Sequence, residues 1–240
     1  MTRTPKAPAT IRALALILLI LLPLSALGAR FGLWPYTIGL LLLSISLLGS
    51  LLIQIINAFW LLRKPEAATK SALRIASLLA LPPLVVISLV LTNSDSTRAN
   101  IHDISTDLNN PPLFVAAIQE RGADSNSLAL SAEVADIQRQ AFPDIAPLSS
   151  DKAADQAFAH ALATAQALGW DILAQDETQG RIEAVDTTFW FGFKDDIVIR
   201  ITPTKAGSII DLRSVSRVGK SDLGANANRI RLFQQEFIAN

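Results

Sequence analysis

Apolar positions along this chain change their rhythm at residue 92. Before it they run almost unbroken through three segments, 11–29, 34–62 and 72–92, with charged residues only at their ends. A helix needs about 20 mostly apolar residues to cross the roughly 30 Å hydrocarbon core of a bilayer. The second and third segments meet that length and the first sits at its lower edge. None buries an ion, which hydrocarbon penalises heavily. Residues 93–100 are short and polar, a linker by composition. Residues 101–114 contain Asn109-Asn110-Pro111-Pro112. Two successive prolines lack backbone donors and hold their neighbours extended, which predicts an arm lying on the domain that follows.

That domain, 101–240, alternates between helical and strand periods. Ser131 is placed to cap a helix over 131–142 with Val134, Ile137 and Ala141 on one face, and Pro143 ends it. A longer helix over 151–168 carries the stripe Phe158, Ala161, Leu162, Ala165, Leu168 and stops at Gly169. Four strands follow, 170–175, 181–191, 196–203 and 208–218, separated by short turns, so an antiparallel meander is expected. Ile197, Ile199 and Ile201 point one way and Asp196, Val198 and Arg200 the other. A tight turn at 204–207 pairs Pro203 with Ser208, Ile201 with Ile210, Ile199 with Leu212 and Arg200 with Asp211, which satisfies core and charge with one register. A last helix, 223–238, begins near Ser221 or Asp222 and buries Ala227, Ile230, Phe233 and Phe237. The predicted fold is α+β: three transmembrane helices (residues 1–92), then an extracytoplasmic four-stranded sheet with helices on one face.

Charge supplies the orientation. The formal net charge is zero, yet residues 1–92 hold eight Lys or Arg against the single acid Glu66, while 93–240 hold thirteen against twenty acids. Cytoplasmic loops retain Lys and Arg. Arg3, Lys6 and Arg12 precede the first span, Arg63, Lys64, Lys70 and Arg74 lie between the second and third, and only Arg30 lies between the first two. Both clusters face the cytoplasm if the amino terminus is inside and everything after Thr92 outside. Trp34 and Tyr36 then sit at the outer interface and Trp60 at the inner one. A cleavable signal peptide ending near Ala26-Leu27-Gly28-Ala29 is the alternative for the first segment. An uncleaved helix is the expectation, because the next span begins before any mature domain.

Within the second span Ser46, Ser50, Gln54 and Asn57 share a helical face. Small and amide side chains there suit interhelical packing, whereas a conduction path ordinarily needs ionisable groups or broken helices. With no cysteine in the chain, disulfides, thiol catalysis and cysteine-ligated zinc are excluded. The acidic balance of the outer domain argues against nucleic acid.

Several short stretches are similar to one another's counterparts in a known family. His102-Asp103-Ile104-Ser105-Thr106-Asp107, then Asn110-Pro111-Pro112-Leu113-Phe114, resembles the opening of the bacterial domain of unknown function 1499. So do Phe142-Pro143-Asp144-Ile145, Trp190-Phe191-Gly192-Phe193-Lys194-Asp195-Asp196 and Arg213-Ser214-Val215-Ser216-Arg217-Val218-Gly219. Ser221-Asp222-Leu223-Gly224-Ala225-Asn226 with Arg229-Ile230-Arg231 is the most specific part. Phe142 stands where Tyr is expected. The resemblance implies a bacterial envelope protein, hence an inner-membrane anchor and a periplasmic domain, and it brings no activity, substrate, cofactor or catalytic residue.

The strongest lead for binding is the basic group Arg213, Arg217, Lys220, Arg229 and Arg231, joined by Trp190. Its approach to a helix amino terminus suits a phosphate or carboxylate. The competing reading pairs these arginines with Asp195, Asp196, Asp211 and Asp222. Gly219-Lys220-Ser221 does not extend to a phosphate loop, since Ser214 stands where that motif needs glycine and the strand closes a meander. His102, Asp103, Asp195 and Asp196 are the candidates for acid–base or metal chemistry, with His160 set apart on a polar helix face. Trp190, Phe191 and Phe193 are read as alternating faces of a strand, one set filling the core and the other closing a groove or meeting the membrane. The expected function is a non-enzymatic, membrane-anchored module that binds an envelope component or protein partner. The alternatives are an enzyme acting on an envelope substrate and a structural subunit of a membrane complex.

Overall fold

The computed structural model describes residues 6–92 and 99–239. Arg3 and residues 93–98 of the expected linker lie outside the described residues. The chain divides into two compact units, Met1–Asn93 with Phe189–Gly192, and Ser94–Thr188 with Phe193–Asn240.

The first unit contains α1 (Lys6–Arg30), α2 (Tyr36–Leu62), α3 (Ala67–Leu79) and α4 (Leu81–Thr92). Helix α1, helix α2 and the joined stretch Ala67–Thr92 are each long and apolar enough to cross a membrane. The third stretch starts at Ala67 and not at residue 72, and it is interrupted at Ala80. Pro82 and Pro83 occupy the first turn of α4, where a missing N–H costs nothing, so the chain restarts there. Ala15, Ile53, Ala76 and Ala80 pack together at the centre of the bundle. The polar face of α2 is turned toward its neighbours. Ser46 Oγ donates to Leu18 O of α1 at 2.7 Å, Gln54 Nε2 to Ser77 O of α3 at 2.9 Å, and Asn57 Nδ2 to Leu73 O at 3.1 Å and to Ser77 Oγ at 2.9 Å. Ser50 is fully buried between them.

The second unit is a single antiparallel sheet with helices. Its strands are β1 (Asp103–Ser105), β2 (Leu148–Ser150), β3 (Asp171–Asp176), β4 (Arg181–Thr187), β5 (Lys194–Thr204) and β6 (Gly207–Ser216). Its helices are α5 (Ala117–Glu120), α6 (Ala132–Ala141), α7 (Ala154–Ala167) and α8 (Ala225–Ala239). The order is β1-β6-β5-β4-β3, with β2 also on β6. The predicted meander is β3 to β6, and the sheet gains two strands. Residues 103–105 of the expected arm pair with β6 at 213–215, and β2 pairs with the same strand at 208–210. Each is only three residues long, too short to show a period.

Between β5 and β6 the pairs are Pro203↔Ser208, Ile201↔Ile210, Arg200↔Asp211 and Ile199↔Leu212, the register that the alternating pattern demands. Ile197, Ile199, Ile201, Ile210 and Leu212 form the helix-facing core with Phe158, Ala161 and Ala165 of α7 and Ala227, Ile230, Phe233 and Phe237 of α8. Ser131 Oγ caps α6 by accepting from Val134 N. Gly169 takes a φ of +80° directly after α7, a conformation that favours glycine.

Two expectations are corrected. The second face of the sheet, read as outward, is covered: Asp196 and Val198 are buried there, and Phe114 and Ala117 pack on Val198 and Val215. A stretch whose prolines keep it extended lies across the strands and takes the place of solvent. The aromatic run is not in a strand either, because β4 ends at Thr187. A turn closes behind it, with Thr188 N donating to Phe193 O at 2.8 Å and Phe193 N to Thr188 Oγ1 at 2.9 Å. Gly192, at φ +68°, permits the reversal that strand geometry forbids.

Candidate functional site

Of the arginines singled out in the sequence, Arg213 and Arg217 lie on the covered sheet face, Arg229 and Arg231 lie elsewhere, and each of the four meets a carboxylate. Strand alternation puts Asp211, Arg213 and Arg217 on that face of β6 and its extension, Asp196 and Arg200 on β5, Glu183 on β4 and Asp103 on β1. Arg213 is 1% exposed. Its Nε donates to Asp103 Oδ1 at 3.0 Å and its Nη2 to Asp103 Oδ2 at 2.6 Å, a two-pronged pair. Nη2 also donates to Leu128 O at 2.7 Å and Nη1 to Pro112 O at 3.4 Å, while the guanidinium lies 5.5 Å from the centre of the Phe114 ring.

The other pairs repeat this scheme. Arg217 donates from Nε and Nη2 to Asp196 Oδ1 at 3.0 and 2.7 Å and from Nη1 to Glu120 O at 2.9 Å. Arg121 donates to Asp196 Oδ2, which Arg217 Nε also reaches at 3.1 Å, and to Asn126 O. Arg200 bridges Asp211 at 2.7 Å, Asp107 at 3.1 Å and Asn110 O at 2.9 Å. Glu183 accepts from the backbone N–H groups of Val115, Ala116 and Ala117 at 2.9–3.0 Å, closing the first turn of α5. The four clusters fasten residues 107–128 to the sheet.

On the helix face Arg229 is the hub. It donates to Asp186 from Nε at 2.9 Å and from Nη2 at 2.7 Å, to Asp195 at 2.7 Å, and to Ser214 Oγ at 3.1 Å. Asn226 joins the same cluster, accepting from Ser214 Oγ at 2.7 Å and donating to His102 O at 3.0 Å. Arg231 pairs with Asp144 near the surface, Nε to Oδ2 at 2.6 Å. The expected anion site at the start of α8 is filled by the chain itself. Asp222 accepts from Gly224 N and from Asn226 N, both at 2.8 Å. Burial pushes the Asp222 carboxyl up from its ordinary value, against the pull of those two donors. Lys220 is exposed in the loop before it, and Trp190 is exposed in the β4–β5 turn.

The acid–base candidates do not converge. Asp195 and Asp196 are neighbours in a strand, so they point to opposite faces, one to Arg229 and the other to Arg217 and Arg121. Asp103 is taken by Arg213. His160 Nε2 lies 2.9 Å from Phe237 O, with its ring edge-on to Phe237. Among the described residues no cluster of three or more acidic or histidine side chains is placed to hold a metal. The cleft edged by Arg229, with Leu168, Trp170 and Leu232, measures about 200 Å³, below the size of a small-molecule pocket.

Arg121, Asn126, Gln138, Asp186 and Glu183 complete these networks and were not evident from the sequence. Glu183 carried one signal, an acid at an alternating position inside a strand. Gln138 carried another, an amide on the inner face of α6, where it bonds Ser105 N at 3.0 Å and Ser105 O at 2.6 Å and so covers the free edge of β1.

Asp103→Ala leaves the Arg213 charge buried without its partner and is expected to cost about 3–5 kcal/mol. Asp103→Leu combined with Arg213→Met should cost clearly less than the two single changes added together. Denaturant unfolding of the full-length variants in detergent measures this coupling. The acid limb of stability should respond to Asp107. Burial raises its carboxyl, but N–H donation from Asn110 and Asn109 and the Arg200 guanidinium outweigh that and hold it below its usual 3.8. A lowered folded-state value stabilises above the unfolded value and is lost as pH falls through the folded one. The difference in stability between wild type and Asp107→Asn should therefore be largest above about pH 4 and vanish on further acidification.

None of the curated proteins compared with the chain matches it. The profile of the family described as protein of unknown function (DUF1499) matches residues 103–237. That span runs from β1 to the last turn of α8 and takes in every ion pair that fastens 107–128 to the sheet. The chain belongs to the DUF1499 family.

Proposed function

We propose that the protein is an inner-membrane, periplasm-facing interaction module, in which a three-span anchor with a cytoplasmic amino terminus presents the α+β domain to a protein partner in the envelope. The observation that carries this reading is the fate of the ionic side chains. Asp103, Asp195, Asp196, Arg213, Arg217 and Arg229 are committed to pairs inside the domain. A carboxylate held in a two-pronged arginine pair is a poor general base and a poor metal ligand, which weighs against the enzyme reading. The same pairing moves the contact surface away from the arginines. What they hold in place is the segment 107–128, whose Leu113, Val115 and Ile118 are exposed while Phe114 and Ala117 between them are buried. Apolar side chains displayed on a rigidly fastened segment are the anatomy of a protein contact. The basic loops of the first unit support the orientation, and the polar face of α2, turned inward, gives no support to the structural-subunit reading.

Orientation is tested by single cysteines in this cysteine-free chain. Lys205→Cys should react with an impermeant maleimide in intact spheroplasts, and Lys64→Cys only after lysis. The contact surface is tested by a photo-crosslinking residue at position 118 of the full-length protein in cells. A discrete protein adduct that Val115→Asp abolishes without lowering thermal stability is expected. Absence of any adduct at 113, 115 and 118 would remove this surface.

A further inference from the structure

The sheet of the second unit keeps one long edge open. At the end formed by β1, Gln138 bonds Ser105 N at 3.0 Å and Ser105 O at 2.6 Å and closes that edge. At the other end lies β3, whose six residues Asp171–Asp176 pair with β4 on one side. Among the described residues no hydrogen bond reaches its other side. A strand edge about 20 Å long therefore presents backbone N–H and C=O groups outward, and such groups are a template for another strand.

The side chains along this edge define what fits it. Ile172 packs at the margin of the helix-side core and Leu173 at the margin of the cluster around Phe114 and Val198, and both are half-buried. An apolar rim is thus left on each sheet face, where the side chains of a further strand would complete it. Acidic groups stand at both ends: Asp171 is exposed at the start, and Asp176 is followed by the exposed Glu177. Residues 171–180 contain no lysine or arginine. Arg181, which follows, is shared between Asp176 at 3.3 Å and Glu183 at 3.4 Å. A second copy of the chain is a poor occupant. Pairing β3 antiparallel with itself over its whole length sets Asp171 opposite Asp176 at both ends, and like charges directly opposite each other are destabilising. The register shift between Ile172 and Ala174 is a bulge, a device that guards an edge against indiscriminate pairing.

We propose that the outer edge of β3 is a binding site for an extended segment of another protein, which adds to the sheet as a further strand. Its backbone takes the free N–H and C=O groups of β3, and its apolar side chains extend the rims at Ile172 and Leu173. A lysine or arginine at each end faces Asp171 on one side and Asp176 with Glu177 on the other. The site shares no residue with the surface of Leu113, Val115 and Ile118 and is tested separately from it.

Hydrogen exchange of the full-length protein in detergent, read by mass spectrometry over residues 171–176, tests this directly. The probe is a capped peptide of alternating valine and threonine with a lysine at each end. It should slow exchange across 171–176 and leave the β5–β6 turn at 204–207 unchanged. The same peptide with glutamates in place of the lysines should bind about tenfold more weakly, the scale of two cross-strand charge pairs. In the Asp171→Lys, Glu177→Lys variant, whose two positions are exposed, that preference should reverse. A third peptide, N-methylated along its backbone, keeps the charges and lacks the strand donors, and it should give no protection. Protection by the N-methylated peptide would reduce the site to a charge contact and overturn the inference. So would unchanged exchange with the lysine peptide, or equal protection by the lysine and glutamate peptides. Protection that grows with protein concentration when no peptide is present would give the edge to a second copy of the chain and overturn it as well.

Discussion

A charged group withdrawn from water must find its countercharge, and this constraint organises the domain. Segment 107–128 has too few apolar side chains to dock by hydrophobic burial alone, with Phe114, Ala117 and Leu128 as its principal inward contacts. What determines its path is a set of buried charges on the sheet that would otherwise be unpaired. Arg213 needs the carbonyls of Pro112 and Leu128 as well as Asp103, and Glu183 needs the N–H groups at 115–117. The bonds of Arg213 to Asp103 and Leu128, of Glu183 to the 115–117 backbone and of Asp196 to Arg121 join elements that are close in space and far in sequence. Pairs of this kind contribute little net stability compared with apolar packing, but they are intolerant of any other partner.

The two sheet faces divide the work. Toward the helices, the alternating isoleucines of β5 and the phenylalanines of α8 supply most of the apolar burial, and Arg229 ties the start of α8 to both β4 and β5. Toward segment 107–128, polar side chains dominate and geometry is set by directional bonds. The helix face explains why the domain folds. The other face explains why an extended, proline-containing segment has one position on it.

The anchor meets the same requirement in a different solvent. In hydrocarbon the polar side chains of α2 have no water to fall back on, so Ser46, Gln54 and Asn57 turn toward backbone carbonyls of neighbouring helices. Pro82 and Pro83 are accommodated at the start of a helix and not in its middle, which splits the third span into α3 and α4 without a break in its apolar character.

Local periodicity determined a good deal. The three apolar spans, the cap of α6, the glycine stop of α7, the meander and the β5–β6 register all follow from repeats of 2 or 3.6 residues and from turn residues, which act within a few positions of one another. The site was legible only as a set of side chains. That Arg213, Arg217 and Asp196 share a face was readable from alternation. That Arg213 meets Asp103 and not Asp211, that Asp196 is shared with Arg121, and that the face is covered at all were decided by the tertiary structure. A pattern along a strand states which face a side chain takes, but not what lies across from it. The partners here stand seventy-five positions apart for Arg121 with Asp196 and a hundred and ten for Arg213 with Asp103, and no local repeat couples positions so distant. The strands β1 and β2 were hidden for the same reason: three residues become a strand only when β6 supplies the hydrogen bonds.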